Sequence, residues 1–154
     1  MRKLALLLAL IVSFCAVYPA QGKSPYMPED ELKAEARQGL EEILDLWREG
    51  KYADLYERTS GGKQTKESFV AKLSDAVCKP ACCWEKMQDV KVGIKGDSSA
   101  EIRAKLGFEG GKGTEFKTRS FRLVKEDGVW RIGQSDILSL AGSAKKKGGS
   151  KKKK

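Results

Sequence analysis

Three cysteines stand close together in the middle of the chain and are its most distinctive chemical feature. Cys78, Cys82 and Cys83 span six positions, with Pro80 between them. Proline breaks a helix, so the chain can fold back and Cys78 can pair with Cys82 or Cys83 in an oxidising compartment. Such a bridge would staple the end of a helix to the following strand. Because the number of thiols is odd, one cysteine is left free or available to another chain.

The same thiols could also serve redox chemistry or capture a soft metal ion. Redox pairs commonly have the spacing Cys-x-x-Cys, which this chain lacks. Three thiolates suit a soft metal, but the sequence offers no obvious fourth ligand. We therefore expect a structural disulfide, no bound metal and no cofactor. A thiol-based metal or redox protein is the second alternative.

Acid–base catalysis has few candidate residues in this chain. The sequence contains no histidine, which removes the commonest general base and excludes serine–histidine and cysteine–histidine pairs. Tyr52 and Tyr56 lie four residues apart, on one helix face, and Asp54 and Asp89 are the carboxylates that could accompany them. Aromatic residues at this spacing usually pack, so we assign no catalytic residue. An isomerase or hydratase that uses a pocket carboxylate and a tyrosine is the first alternative.

The net charge of +9 is concentrated at the C-terminus. Two of the 30 basic residues lie in residues 1–22 and seven lie in the last ten, which leaves 21 to balance the 21 acidic ones. The seven are Lys145, Lys146, Lys147, Lys151, Lys152, Lys153 and Lys154. We expect residues 142–154 to be disordered, because glycine, serine, alanine and lysine cannot build a core.

This basic tail has two interpretations. It is either a solvated charged end or a segment that docks on an anionic surface, such as a membrane or a cell-wall polymer. No aromatic residue interleaves with the lysines, so we do not expect specific nucleic-acid binding.

The N-terminus has the three parts of a secretory signal peptide: a basic start, an apolar middle at residues 4–17 and a small-residue exit. We place the cleavage after Gly22, with cleavage after Ala20 as the alternative. A transmembrane anchor is disfavoured because the apolar run is shorter than the roughly 20 residues that span a bilayer.

Lipidation of Cys15 is also disfavoured, because Phe14 stands where a lipoprotein signal usually has a small residue. We expect residues 23–141 to form a single domain that works in a bacterial periplasm or outside the cell.

Hydrophobic periodicity predicts an α+β fold. Apolar residues at steps of three and four predict three helices, at residues 29–49, 51–58 and 65–77, and the apolar stripe of the first runs from Leu32 to Trp47. Alternating apolar and charged residues then predict four strands, at residues 90–94, 102–108, 115–125 and 129–138. Helices that precede an antiparallel meander imply three N-terminal helices packed on one face of a four-stranded antiparallel sheet.

At this level the chain resembles the nuclear-transport-factor-two-like, or ketosteroid-isomerase-like, superfamily over about residues 35–138. The residues that carry the resemblance are 46–56, the helix at 66–75, and 126–132 with its Asp-Gly-Val-Trp hairpin. The cysteine cluster is not a general feature of that family. The resemblance implies a curved sheet wrapped around the long helix, with a cone-shaped pocket. Members include isomerases, dehydratases and hydrolases, and also many non-catalytic exported domains.

These observations predict a non-catalytic exported domain that binds a small apolar ligand or a protein partner in the concavity of the sheet, with the basic tail docking on anionic surfaces. Candidate residues of the pocket are Trp47, Tyr52, Tyr56, Phe108, Phe121 and Trp130. An interior filled by such aromatic side chains would leave the enzyme alternative without a site. A homodimer through the open sheet face is considered by analogy with similar sheets.

Overall fold

The order of elements was obtained from a computed structural model, which describes residues 27–110 and 113–142. The predicted signal peptide and the seven lysines of the tail lie outside these residues. The elements are α1 (Glu29–Arg48), α2 (Tyr52–Glu57), β1 (Thr59–Ser60), α3 (Lys66–Ser74), β2 (Lys79–Pro80), a 3-10 helix (Cys83–Glu85), β3 (Met87–Ile94), β4 (Ser99–Gly110), β5 (Gly113–Glu126), β6 (Val129–Gly133) and α4 (Gln134–Ala141).

Helix α1 buries one face along its whole length, as the periodicity predicts. The buried residues are Leu32, Ala36, Gly39, Leu40, Ile43, Leu44 and Trp47. Acidic residues fill the first turn, where they interact favourably with the helix dipole. In the described part of the chain, no helix combines the length and the apolar character that crossing a membrane requires.

The four predicted strands are present as β3 to β6, and they pair in antiparallel order as the meander predicts. The sheet is larger than predicted, because the described residues form six strands in the order β1-β6-β5-β4-β2, with β3 also pairing with β4. Strand β1 runs parallel to β6, so the sheet is mixed. Since β1 and β2 have two residues each, they are too short to show an alternating pattern in a sequence.

Helix α4 is the largest departure from the predicted fold. The last strand was expected to reach residue 138, but β6 ends at Gly133 and α4 follows at once. Ile137, Leu140 and Ala141 are spaced three and four residues apart and are buried. The helix packs against α3 and β6. A short apolar run fits either a strand or a helix, and here the packing selects the helix.

The sheet is curved and has two distinct faces. The inner face carries the apolar side chains of β4, Ala100, Ile102, Ala104, Leu106 and Phe108, which pack with α1 and α4 into one hydrophobic core. The outer face carries the intervening residues of β4 and their cross-strand partners, and most of these are exposed. A functional site can therefore lie within the core or on the outer face.

Candidate functional site

The six residues predicted to line a pocket fall into two groups. Trp47, Phe108, Phe121 and Trp130 are at most 3% exposed and belong to the hydrophobic core. The rings of Trp47 and Phe108 pack against each other with their centroids 5.7 Å apart. The other two, Tyr52 and Tyr56, are half-buried at the margin of this core.

The sequence leaves undecided whether the pocket is open or filled, and in the described residues aromatic side chains fill the space. Trp47 and Phe108 fill the space between α1 and the sheet, and α4 adds Ile137 and Leu140 to the same core. Three of the predicted pocket residues line separate grooves on the surface. A groove of about 300 Å³ lies beside Phe121, one of about 230 Å³ beside Trp130 and one of about 210 Å³ beside Tyr56.

The core offers little to acid–base chemistry. In the described residues, Gln134 is the one polar side chain that is fully buried. Its amide oxygen accepts a hydrogen bond from the backbone N–H of Gln64 at 2.9 Å, so it serves the fold. Asp54 and Asp89, the carboxylates considered for catalysis, are both exposed. The hydroxyl of Tyr56 donates to the backbone carbonyl of Gln64.

The cysteine segment differs from the predicted staple. The disulfide joins Cys82 to its neighbour Cys83, and Cys78 is the free thiol of the described residues. The thiol of Cys78 donates to the carbonyls of Leu140 and Ala141 at 3.4 and 3.3 Å. The expected pairing of Cys78 is therefore wrong.

The reason for this difference lies at Pro80. The chain does not fold back there. Pro80 continues β2 opposite Phe108 of β4, and this extended segment carries the later cysteines away from Cys78. Among the described residues, no group of three or more cysteine, aspartate or glutamate side chains is arranged to hold a metal ion.

The 3-10 helix after the disulfide lies against the outer face of the sheet. A side chain at Gly107 would collide with the backbone carbonyl of Glu85 and would lie 2.9 Å from Cγ2 of Thr114, so glycine permits the close approach. The hydroxyl of Thr114 donates to Oε2 of Glu85 at 2.8 Å. Between these anchors and the disulfide, the side chain of Trp84 is 73% exposed.

The outer face is rich in cations. Directly paired residues of neighbouring strands lie on the same face of a sheet. Arg103 of β4 is paired with Lys91 of β3 and with Ser120 of β5. Lys105 is paired with Thr118, two residues further along the strand. Since paired Cα atoms lie about 4.5–5.5 Å apart, these cations form one patch.

Two acidic residues of this face, Glu101 and Glu109, lie beside other cations. Nζ of Lys95 lies 2.9 Å from a carboxylate oxygen of Glu101, and this hydrogen bond lowers the pKa of Glu101. Glu109 is paired across the strands with Lys79. We call the four remaining cations the basic face: Lys91, Arg103, Lys105 and Arg122. In the described part of the chain, none of these four side chains forms an ion pair.

The chain leaves the described structure at the same end of the fold as the cysteine segment. Helix α4 ends at Ala141, and its last two carbonyls accept hydrogen bonds from the thiol of Cys78. Cys78 in turn precedes β2, which leads directly into the disulfide and Trp84. The lysine-rich tail thus follows a residue, Gly142, that is positioned beside this segment.

Comparisons with known proteins were made at three levels. No protein-family model matches the chain, and no curated protein does. After three helices, a curved antiparallel meander packs around the long helix α1, which agrees with the resemblance to the nuclear-transport-factor-two-like superfamily.

Three solved structures are similar to this chain at 14–16% identity. Aln2 from a Streptomyces species has 16% identity and a TM-score of 0.45, covering 75% of this chain and 99% of its own. A Catenulispora acidiphila protein in complex with S-DNPA has 14% identity and a TM-score of 0.49, with 68% and 90% covered. An uncharacterized protein with a cystatin-like fold from Caulobacter vibrioides has 16% identity and a TM-score of 0.48, with 65% and 84% covered. Likenesses of this size transfer no ligand and no activity.

Proposed function

We propose that this chain is an exported, non-catalytic binding domain that attaches to anionic surfaces by electrostatic attraction. The observation that carries the proposal is the closed core. Trp47, Phe108 and Leu140 are at most 2% exposed, so an interior ligand has no space among them. Contacts with a partner are then made at the surface, where the charges lie.

The basic C-terminal segment supplies most of the attraction. Its seven lysines have no acidic residue among them, whereas the charges of residues 23–144 balance. A lysine near an anionic membrane contributes about 1 kcal/mol, and this attraction decays within a Debye length. Binding is therefore expected to be strong at low salt and weak at high salt.

Export is part of the proposal, and it is supported by the N-terminal sequence. A basic start, an apolar run and the small residues before Lys23 fit a segment removed on secretion. A disulfide between Cys82 and Cys83 agrees with an oxidising compartment.

The test is a vesicle sedimentation assay on the chain that starts at Lys23. Vesicles of phosphatidylcholine are compared with vesicles in which about one third of the lipid is phosphatidylglycerol, since anionic lipid supplies the surface potential. The matched variant has every lysine of residues 145–154 replaced by glutamine, which keeps the length of the chain.

We expect binding to the anionic vesicles only, and we expect the glutamine variant to bind at least about a hundredfold more weakly. Raising the salt from about 0.05 to about 0.5 M should release the wild-type chain. Equal binding by the two chains, or binding that salt does not weaken, would overturn the proposal.

A further inference from the structure

We propose that the outer face of the sheet is a second docking surface, which takes the anionic headgroups of a lipid bilayer while Trp84 enters the headgroup region. This inference rests on the proposed function and extends it from the C-terminal segment to the folded domain.

The charge of this face is complementary to an anionic surface. Lys91 and Arg103 are direct cross-strand partners, and Lys105 lies two residues from Arg103 on the same face. Arg122 is paired with Glu101, whose carboxylate is already bound by Lys95. The face therefore presents unpaired cations with hydroxyl groups between them, at positions where two-point contacts to phosphate oxygens are possible.

The opposite side of the molecule carries an excess of acidic residues. Helix α1 packs on the inner face and contains seven acidic residues against three basic ones. Glu29 and Glu42 form ion pairs with Lys33 and Arg58, whereas Glu31 is exposed without an ion pair in the described residues. A domain that is basic on one side and acidic on the other is oriented by the field of an anionic surface before it makes contact. That orientation brings the sheet to the surface and keeps α1 away from it.

Exposed aromatic side chains accompany the cations. Trp84 is 73% exposed and Phe116 is 39% exposed. Phe116 is the cross-strand partner of Gly107, and the backbone carbonyl of Glu85, the residue after Trp84, lies over the same glycine. Exposed amphipathic aromatic residues together with cations are the composition that favours a membrane–water interface.

The surroundings of Phe116 favour a lipid surface over a nucleic acid. Nζ of Lys105 lies over the ring of Phe116, 4.6 Å from its centroid. This cation covers one side of the ring, whereas base recognition on a sheet depends on open aromatic platforms. At a bilayer, the same ammonium reaches the headgroups while its stem and the ring pack together.

The basic tail and the outer face belong to one chain. The tail follows Gly142, which comes directly after the contact of Ala141 with Cys78. Two linked binding elements raise the apparent affinity, because the second contact becomes intramolecular. The tail and the face therefore bind one surface together.

The decisive experiment uses the chain from Lys23 to its C-terminus with the tail intact. The test variant is Arg103→Gln/Lys105→Gln on the basic face. The matched control is Lys33→Gln/Arg37→Gln, which removes the same charge from the outward side of α1. Circular dichroism confirms that each variant is folded, and binding to phosphatidylglycerol-containing vesicles is titrated.

Each lost cation should lower the affinity slightly more than fivefold, so we expect the test variant to bind about thirtyfold more weakly than the wild type. The control should bind within about twofold of the wild type. Vesicles should also protect the indole of Trp84 from acrylamide quenching, and Trp84→Ser should abolish this vesicle-induced increase in protection. Trp47 and Trp130 are buried and so contribute a constant background.

Each contrary outcome has a distinct meaning. If the test variant binds like the control while the lysine-to-glutamine tail variant does not bind, the outer face is not a docking surface and the proposed function stands. If no chain binds anionic vesicles, both proposals fail. If single-stranded DNA binds with the same loss in the test variant, and vesicles leave Trp84 open to quencher, the assignment to lipid is overturned.

Discussion

Gly39 of α1 and Trp130 of β6 are in direct contact: a Cβ atom placed on Gly39 would lie 2.7 Å from Cβ of Trp130. Glycine in the middle of a helix costs about 1 kcal/mol relative to alanine, so a glycine here needs a compensating reason. The contact supplies it, because the missing side chain lets the tryptophan pack directly on the helix backbone. The closed core depends on this close approach of α1 to the sheet.

Gly39→Ala should therefore destabilise the protein, although alanine is the better helix former. Overpacking typically costs about 1–3 kcal/mol, which exceeds the helix-propensity gain of about 1 kcal/mol. Denaturant unfolding measures the change. Gln38→Ala, on the exposed side of the same helix turn, should stay within about 0.5 kcal/mol of the wild type. An equally stable or more stable Gly39→Ala protein would mean that the helix and the sheet are further apart than described.

Gln134 ties α4 to the loop before α3, and its removal should weaken the fold. Gln134→Leu leaves the backbone N–H of Gln64 without its acceptor, while the carbonyl of Gln64 keeps the hydroxyl of Tyr56. An orphaned donor costs about 1–3 kcal/mol. Thermal and denaturant unfolding test this. Gln38→Leu is the control at an exposed position, and an equal effect of both variants would contradict the role of Gln134.

The thiols of the native protein should react unequally. Alkylation of the folded chain from Lys23 without reductant should label one thiol, Cys78, slowly because it is half-buried. Reduction should expose two further thiols, Cys82 and Cys83. Mass spectrometry counts the labels, and Cys78→Ser should take none before reduction. A cross-linked peptide that joins Cys78 to either neighbour would support the staple expected from the sequence instead.

Glu101→Gln should strengthen vesicle binding at neutral pH. The variant removes a negative charge from the outer face and releases Lys95, and one unit of charge corresponds to about fivefold in affinity. Glu41→Gln on the outward side of α1 is the control, and we expect it to change binding by less than about twofold. Weaker or unchanged binding by Glu101→Gln would contradict the role of the outer face.

The pH dependence of the same pair has a definite sign. The hydrogen bond from Lys95 lowers the pKa of Glu101 in the folded protein. The stabilisation by this pair is therefore present above the unfolded pKa and is lost as pH falls through the lowered folded pKa. Over the same acidic window the wild type should approach the vesicle affinity of Glu101→Gln, which a titration of both proteins from neutral to acidic pH measures.

Elements with long regular patterns were predictable from the sequence. The apolar stripe from Leu32 to Trp47 repeats over four turns, and all of its predicted members are buried. The alternation in β4 extends over several residues, so its faces were assigned correctly. In both elements one period dominates, because one side of the element meets the core and the other meets water.

Helix α4 could not be predicted, because its sequence is short and supports two structures. The apolar residues from Ile132 to Leu138 are consistent with the end of a strand, and the turn at Gly133 carries no strong signal of its own. Burial of Ile137 and Leu140 against the core decides for the helix. Such a decision depends on the rest of the fold.

The sequence shows which residues alternate with the apolar ones in these strands, but not which of them are neighbours on the outer face. Lys91, Arg103 and Lys105 alternate with apolar residues in the predicted strands, which indicates that they face solvent. Their arrangement into one patch depends on the register between strands. That register shifts between Gln88 and Lys91, where Asp89 adopts a positive φ of 51°. A bulge of this kind changes which residues are neighbours. The sequence also does not decide which cysteines form the disulfide, because the spacing of cysteines does not determine their connectivity.

The most direct test of surface binding is an NMR titration of the ¹⁵N-labelled chain with anionic nanodiscs, read at the three indole N–H groups and at the strand amides. The account predicts that the Trp84 indole and the amides of Arg103 and Lys105 broaden or shift, while the buried indoles of Trp47 and Trp130 keep their positions. Perturbation of the Trp47 indole with an unchanged outer face would place binding in the interior and contradict the account.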